Sequence, residues 1–149
     1  MSVEEMDDLE LIEEKADLEL RERVREVMAR EAWKETLGQR AVACKGWKWK
    51  QGMLGLSRVR GIWIRVVDPP CDDTSDCFPD LTDPATIGCL IALVREVWPD
   101  ATTSHRQFFC EDGTNFLRWA VHKGSGHEAG LYLYTTEAEA LVAALDAAP

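Results

Sequence analysis

The N-terminal segment constrains the fold most, because its apolar residues recur every three or four positions in an otherwise charged stretch. This spacing places them on one face of a helix and predicts one long helix over residues 3–36, or two helices with a joint. The stripe is narrow and consists of Met6, Leu9, Ile12, Ala16, Leu20, Val24 and Val27. Such a stripe is typical of a coiled-coil seam or of a helix laid across a sheet. Gly38 is expected to end the helix.

The first half of the remaining chain indicates β structure followed by a helix. A strand is expected at Ala41–Lys45 and a second at Gly61–Val67, which is rich in β-branched and aromatic residues. Residues 71–82 show neither the three-to-four-residue period of a helix nor the two-residue period of a strand, which predicts a loop. Asp83 followed by Pro84 predicts the start of a helix, with the aspartate as its N-cap.

The second half indicates strands and a short helix. Strands are expected at 107–110, 115–122 and 131–134, the first two joined by a turn with an Asp112–Gly113 centre. Thr136 and Glu139 have the spacing of a capping box, which opens the last helix.

Hairpin-linked strands favour an α+β fold over a doubly wound sheet. We therefore expect an antiparallel sheet of about five strands with a buried central helix, a short C-terminal helix and a long N-terminal acidic helix. The predicted domain organisation is an acidic amphipathic helix over residues 1–40, serving as an interaction or dimerisation arm, and one compact domain over residues 41–149.

Composition and charge exclude several classes of protein. With 149 residues, 46% of them hydrophobic and 30% charged, the chain is a globular domain rather than a disordered or fibrous protein. No apolar run approaches the length of a membrane span, and the acidic N-terminus does not resemble a signal peptide. Five cysteines, an odd number with scattered spacing, indicate reduced thiols and a cytoplasmic location. The net charge of −10 disfavours binding of duplex nucleic acid.

The charge is distributed unevenly along the chain. Residues 41–70 have a net charge of +5, whereas residues 1–40 and 71–100 each have a net charge of −6. Two interpretations stay open: the basic segment pairs with its acidic neighbours inside the fold, or it forms a local anion site on an acidic protein.

Tryptophans lie among the cations of the basic segment, an arrangement that suits stacking on a nucleotide base with a phosphate neutralised nearby. The candidate ligand-binding residues are Lys45, Trp47, Lys48, Trp49, Lys50, Arg58, Arg60 and Arg65. Strand alternation would place Trp47 and Trp49 on one face and the lysines on the other. The alternative is that the tryptophans belong to the core and the lysines to a solvated face, which is the commoner use of large aromatic residues.

The charge density of the N-terminal helix exceeds what a covering helix requires, which favours an interaction role. As an acidic arm it would bind a basic surface on a host protein, and as a coiled-coil seam it would form a homodimer. The candidate partner-binding residues are Glu10, Glu13, Glu14, Asp17, Glu19 and Glu22.

Catalytic chemistry has weak support in the sequence. No nucleophile elbow, P-loop, metalloprotease or dinucleotide motif occurs, so no catalytic residue, metal ligand or cofactor is predicted. The acidic loop contains Cys71 and Cys77, the two cysteines expected to be exposed enough to react, while Cys44, Cys89 and Cys110 are expected to pack inside. A small metal- or thiol-dependent hydrolase that uses this loop and a histidine is the alternative from another class.

Three blocks of the sequence resemble a family of small proteins encoded in bacteriophages and prophages. They are Ala43–Trp49 with Gly52–Leu54, Pro79–Trp98, and Glu137–Asp146, and they span residues 41–149. The resemblance implies a phage product that acts in the cytoplasm of an infected bacterium. Small accessory proteins of phages often counter host defence by binding a defence protein or by sequestering a nucleotide signal. A self-assembling structural component of the phage is a further alternative.

Overall fold

The computed structural model describes residues 3–67, 76–123 and 133–149, with side chains described from residue 15 onward. Along the chain these form three helices and five strands: α1 (Val3–Ala43), β1 (Leu54–Ser57), β2 (Ile62–Arg65), β3 (Cys77–Pro79), α2 (Pro84–Val97), β4 (Thr102–Phe109), β5 (Asn115–His122) and α3 (Glu137–Asp146). The α+β class expected from the sequence is confirmed. The chain divides into two compact units, Met1–Trp33 and Lys34–Pro149.

The first helix is longer than the sequence indicated. α1 passes through Gly38 and ends at Ala43, so the strand predicted at Ala41–Lys45 is wrong. Leu37, Ala41 and Cys44 are all buried, at the i, i+4, i+7 spacing of one helix face. Gly38 is buried against Phe78 and Pro79, where an added Cβ would lie 3.2 Å from the Phe78 Cβ. Burial of this face in the second unit outweighs the weak preference of glycine to end a helix.

The five strands form two antiparallel sheets instead of one. The first has the order β2-β1-β3, with Gly55 opposite Ile64 on one side and opposite Pro79 on the other. The expectation of a loop over residues 71–82 is wrong for Cys77–Pro79, which forms the edge strand β3. A three-residue strand is too short to show a period, and it is defined only by its pairing with β1.

The second sheet is the ribbon of β4 and β5, paired over all eight residues from Thr102↔His122 to Phe109↔Asn115. Gly113, with φ of 83°, occupies the left-handed position of the connecting turn, as the Asp-Gly signal predicted. Tyr134 adds a single bridge to Trp119, where the sequence predicted a strand over 131–134; residues 131 and 132 of that prediction lie outside the described residues.

The two shorter helices begin where the sequence predicted. The Asp83 carboxylate accepts a hydrogen bond from the Thr86 amide at α2, and Thr136 and Glu139 complete a reciprocal capping box at α3. The helices bury their apolar faces together: α2 contributes Leu90, Leu93 and Val94, and α3 contributes Leu141, Val142 and Leu145. The Trp98 indole donates to the Ala144 carbonyl at 3.1 Å and links the ends of the two helices. Much of the core of the second unit therefore lies between α2 and α3, and the last turns of α1 add Leu37 and Ala41 to it.

Candidate functional site

The tryptophan-containing part of the basic segment, residues 45–50, lies between α1 and β1 in irregular backbone. The Trp47 amide donates to the Cys44 carbonyl at 3.0 Å, and the Lys50 amide contacts the Met53 sulfur at 3.3 Å. Because the segment is not a strand, the predicted alternation of tryptophan and lysine faces does not apply. The segment instead connects the C-terminal end of α1 to the first sheet.

Two of the candidate lysines pair with one carboxylate inside the fold. Lys50 Nζ lies 2.6 Å from one Glu96 oxygen, and Lys48 Nζ lies 3.4 Å from the other. The hydrogen bonds from Lys50 and then Lys48 lower the pKa of the Glu96 carboxyl. Glu96, on the exposed side of α2, thereby neutralises part of the positive charge that a phosphate would need.

A third candidate cation, Arg65, is held more firmly. Its two terminal nitrogens lie 2.8 and 3.1 Å from the two Asp83 oxygens, and one of them also donates to the Gly52 carbonyl at 2.8 Å. This bidentate pair, with further hydrogen bonds from Thr86, lowers the pKa of the Asp83 carboxyl to about 2. Arg65 therefore joins the end of β2 to the start of α2 and is not available to a ligand in this arrangement.

The remaining candidate cations are also exposed. Arg58 lies 3.3 Å from a Glu35 oxygen and places its guanidinium 5.1 Å from the centre of the Phe78 ring. Lys45 and Arg60 are exposed. The structure thus brings Lys48 and Lys50 together but does not gather all eight candidate residues into one site.

Both tryptophans of the segment are half-buried and contact each other edge to face, with ring centres 5.5 Å apart. The Trp49 ring lies against Gly55 of β1. An added Cβ at Gly55 would be 2.9 Å from the ring, so the ring can occupy this position only because residue 55 has no side chain. The Trp47 indole nitrogen is buried and has no hydrogen-bond partner within the described part of the chain. The tryptophans are therefore packing residues, one of which retains an unused donor.

The candidate partner-binding residues lie on α1. Asp17, Glu19 and Glu22 are exposed, and Asp17 forms a 2.8 Å ion pair with Arg21 one turn later. Glu10, Glu13 and Glu14 belong to the helix, but their side chains lie outside the described residues. Every described side chain from Lys15 to Ala32 is exposed, whether charged or apolar.

The tip of the β4–β5 ribbon is an apolar surface that the sequence analysis missed. Phe109 is 77% exposed, and the rings of Phe108 and Phe116 stack with centres 5.3 Å apart. Arg106 pairs with Arg118 directly across the ribbon, and the Arg118 guanidinium lies 5.0 Å from the centre of the Phe116 ring. Adjacent apolar residues on both strands, Phe108–Phe109 and Phe116–Leu117, place apolar groups on both faces, a pattern that could have indicated a ribbon tip with no covered side.

The groups invoked for catalysis are dispersed. Cys77 is buried in β3, so the expectation that it is exposed is wrong, and Cys71 lies outside the described residues. Cys44 is buried as expected, and burial raises the pKa of its thiol. Cys110, expected to pack inside, is exposed. Over residues 15–67, 76–123 and 133–149, no three histidine, cysteine, aspartate or glutamate side chains converge as metal ligands would.

One pair of side chains does have a distance relevant to hydrolysis. The Ser104 hydroxyl lies 2.7 Å from His122 Nε2, across neighbouring strands of the ribbon. A nucleophile and its base need this distance, but hydrolysis also needs donors for an oxyanion and a site for the acyl group. A single hydrogen bond of this kind also joins strands in structural sheets and does not by itself indicate a hydrolase, and most of the acidic loop that the hydrolase alternative invoked lies outside the described residues.

The chain matches no family model, no curated protein and no solved structure. The resemblance of its sequence blocks to a phage family remains a prediction. None of the described helices is both long and apolar enough to span a bilayer.

Proposed function

We propose that the protein is a non-enzymatic binding protein that contacts a partner through the acidic part of α1. The observation that supports this most directly is the exposure of every described side chain from Lys15 to Ala32, including Asp17, Glu19 and Glu22. The acidic part of α1 lies in residues 1–20, with nine acids and one base, and this excess of carboxylates attracts a basic surface and steers its approach. The partner is therefore a protein with a basic face.

The resemblance to phage proteins supplies the biological setting of this proposal. In that setting the protein acts in the cytoplasm of an infected bacterium, where it blocks a defence system by binding one of its proteins. The internal pairing of Lys48, Lys50 and Arg65 favours a protein partner over a nucleotide, because three of the cations that a phosphate would need already have carboxylate partners.

Nucleotide binding remains the second candidate function, and the unused Trp47 donor is the observation that favours it. Exposed Lys45 and the half-buried Trp47 would then form the site, with the indole N–H as a hydrogen-bond donor. On binding, Lys48 and Lys50 would have to leave Glu96 and pair with the phosphate instead.

The proposal is tested by affinity purification from infected cells with the tagged full-length protein and two charge-reversal variants. The test variant is Glu19→Lys/Glu22→Lys, and its matched control is Asp100→Lys/Glu111→Lys, which changes the net charge equally at exposed acids of the second unit. We expect a bacterial protein to be recovered with the wild type and the control, and to be depleted at least tenfold with the test variant.

Equal recovery with both variants would contradict binding through α1. For the second function, the purified proteins are denatured and the released small molecules are identified. A nucleotide released from the wild type and from Glu19→Lys/Glu22→Lys, but not from Lys45→Glu, would replace the proposal with nucleotide binding.

A further inference from the structure

The first unit exposes an apolar stripe along α1. Within the described side chains, Leu20, Val24 and Val27 have exposed fractions of 60%, 51% and 60%. Leucine and valine in a helix interior are normally buried by a neighbouring element, because the hydrophobic effect favours removing their surface from water. Three such residues on one helix face therefore indicate a surface that another helix covers.

The spacing of the stripe indicates what kind of helix would cover it. From Met6 to Val27 the chain takes six steps of three or four residues over 21 positions, an average of 3.5 residues a step. This is the repeat with which a helix keeps one seam facing a partner helix in a coiled coil. Leu18 is equally exposed at 58%, but it lies 200° round the helix from Leu20 and does not belong to the seam.

The charges of α1 indicate both the partner and its direction. Residues 1–20 contain nine acids and one base, a net charge of −8, whereas residues 21–40 contain four acids and six bases, a net charge of +2. A parallel pair of these helices would place −8 against −8. An antiparallel pair places the acidic half of each helix against the basic half of the other, so of the two full-length alignments it is the one with attraction along the seam.

We propose that α1 binds a second copy of this chain as an antiparallel two-helix coiled coil, with Leu20, Val24 and Val27 in its seam. The contact is isologous, because each copy presents the same stripe and the same two charged halves. Glu22 lies two residues after Leu20 and so faces away from the seam, where it remains accessible to a third protein. Dimer formation is thus separate from the proposed function and needs no host component.

The test measures the molar mass of the purified full-length protein by size-exclusion chromatography with light scattering over a dilution series. We expect twice the chain mass of 16.8 kDa for the wild type. The variant Leu20→Gln/Val24→Gln should elute as a monomer, whereas Leu18→Gln, the equally exposed leucine outside the seam, should remain a dimer. Near-ultraviolet circular dichroism verifies that the second unit stays folded in each variant.

The direction of the helices is tested by zero-length carbodiimide cross-linking of a mixture of unlabelled and ¹⁵N-labelled protein. Mass spectrometry then identifies the peptides that join one light and one heavy chain. In an antiparallel pair, Lys34 should link to an acid within residues 4–10 of the other copy. Links between chains from Lys34 to Glu31 or Glu35 would show a parallel pair and overturn the proposal. A wild type that is monomeric at every concentration would also overturn it, as would equal dissociation of the Leu18 and Leu20/Val24 variants.

Discussion

Asp83 stands at the junction of three elements. Its carboxylate accepts hydrogen bonds from the Thr86 amide and hydroxyl, at 2.9 and 2.8 Å, and from both terminal nitrogens of Arg65. The buried Thr86 hydroxyl in turn accepts from the Leu54 amide at 2.8 Å. One carboxylate therefore caps α2, holds the end of β2, and orients the hydroxyl that receives the first amide of β1.

Replacing Asp83 should separate its charge from its role as a cap. Asparagine is as good an N-cap as aspartate, so Asp83→Asn should lose mainly the interaction with Arg65, about 1 kcal/mol of unfolding free energy. Asp83→Ala loses the cap as well and should cost about 1 kcal/mol more. Chemical denaturation at pH 7 measures both variants; equal stability of the two would contradict a capping role.

The same residue predicts a pH dependence. Because its pKa is lowered to about 2 in the folded protein, the stabilisation from Asp83 is complete above the ordinary aspartate pKa near 4 and is lost as the pH falls toward 2. The stability difference between wild type and Asp83→Asn should therefore be constant from pH 7 to 5 and shrink from pH 4 to 2. A difference that stays constant down to pH 2 would show that the ion pair does not form.

Local sequence signals located the helix starts and the ribbon turn correctly. Each of these signals determines the backbone within four residues, so it can be recognised without knowledge of the tertiary packing. The signals are Asp83–Pro84, the Thr136–Glu139 box and Asp112–Gly113. The end of α1 could not be predicted in this way, since Gly38 lies inside the helix only because Leu37, Ala41 and Cys44 are buried by residues distant in sequence. β3 could not be predicted either, because it is defined by its pairing with β1, which is distant in sequence.

At α3 the capping box gives a prediction with an internal control. The Thr136 hydroxyl accepts from the Glu139 amide at 3.1 Å, while neighbouring Thr135 only donates to the Glu139 carboxylate. Thr136→Ala should therefore destabilise the protein by about 1 kcal/mol, and Thr135→Ala by less than about 0.5 kcal/mol. Thermal unfolding followed by circular dichroism compares them; the reverse order of stability would exclude the box as the start signal of α3.

Across the whole molecule, the ion pairs agree with one of the two interpretations of the charge pattern. Within the described residues, Lys48 and Lys50 pair with Glu96, Arg65 with Asp83, and Arg58 with Glu35, so the basic segment contacts both acidic ones. Regional net charge offered this complementarity as one of two interpretations. It did not identify the partners, because pairs 18 to 48 residues apart in sequence depend on the fold.

The division into two units predicts which part of the chain folds alone. Among the described side chains, every buried one lies at residue 37 or later. A protein consisting of residues 34–149 should therefore unfold cooperatively, at a temperature within a few degrees of the full chain. A protein consisting of residues 41–149 lacks buried Leu37 and should be less stable by about 2 kcal/mol or more. Calorimetry of the two shortened proteins distinguishes a domain boundary at residue 34 from one at residue 41. Equal melting temperatures would contradict the placement of Leu37 in the core.

The arginines that face each other across the β4–β5 ribbon affect how the protein behaves when concentrated. Like charges directly opposite weaken the ribbon slightly. Both lie on the same face of the ribbon as Phe108 and exposed Phe116, the face on which a second sheet would stack in an aggregate. Stacking there would dehydrate two guanidinium groups at once, so we expect Arg106 and Arg118 to oppose aggregation through this face.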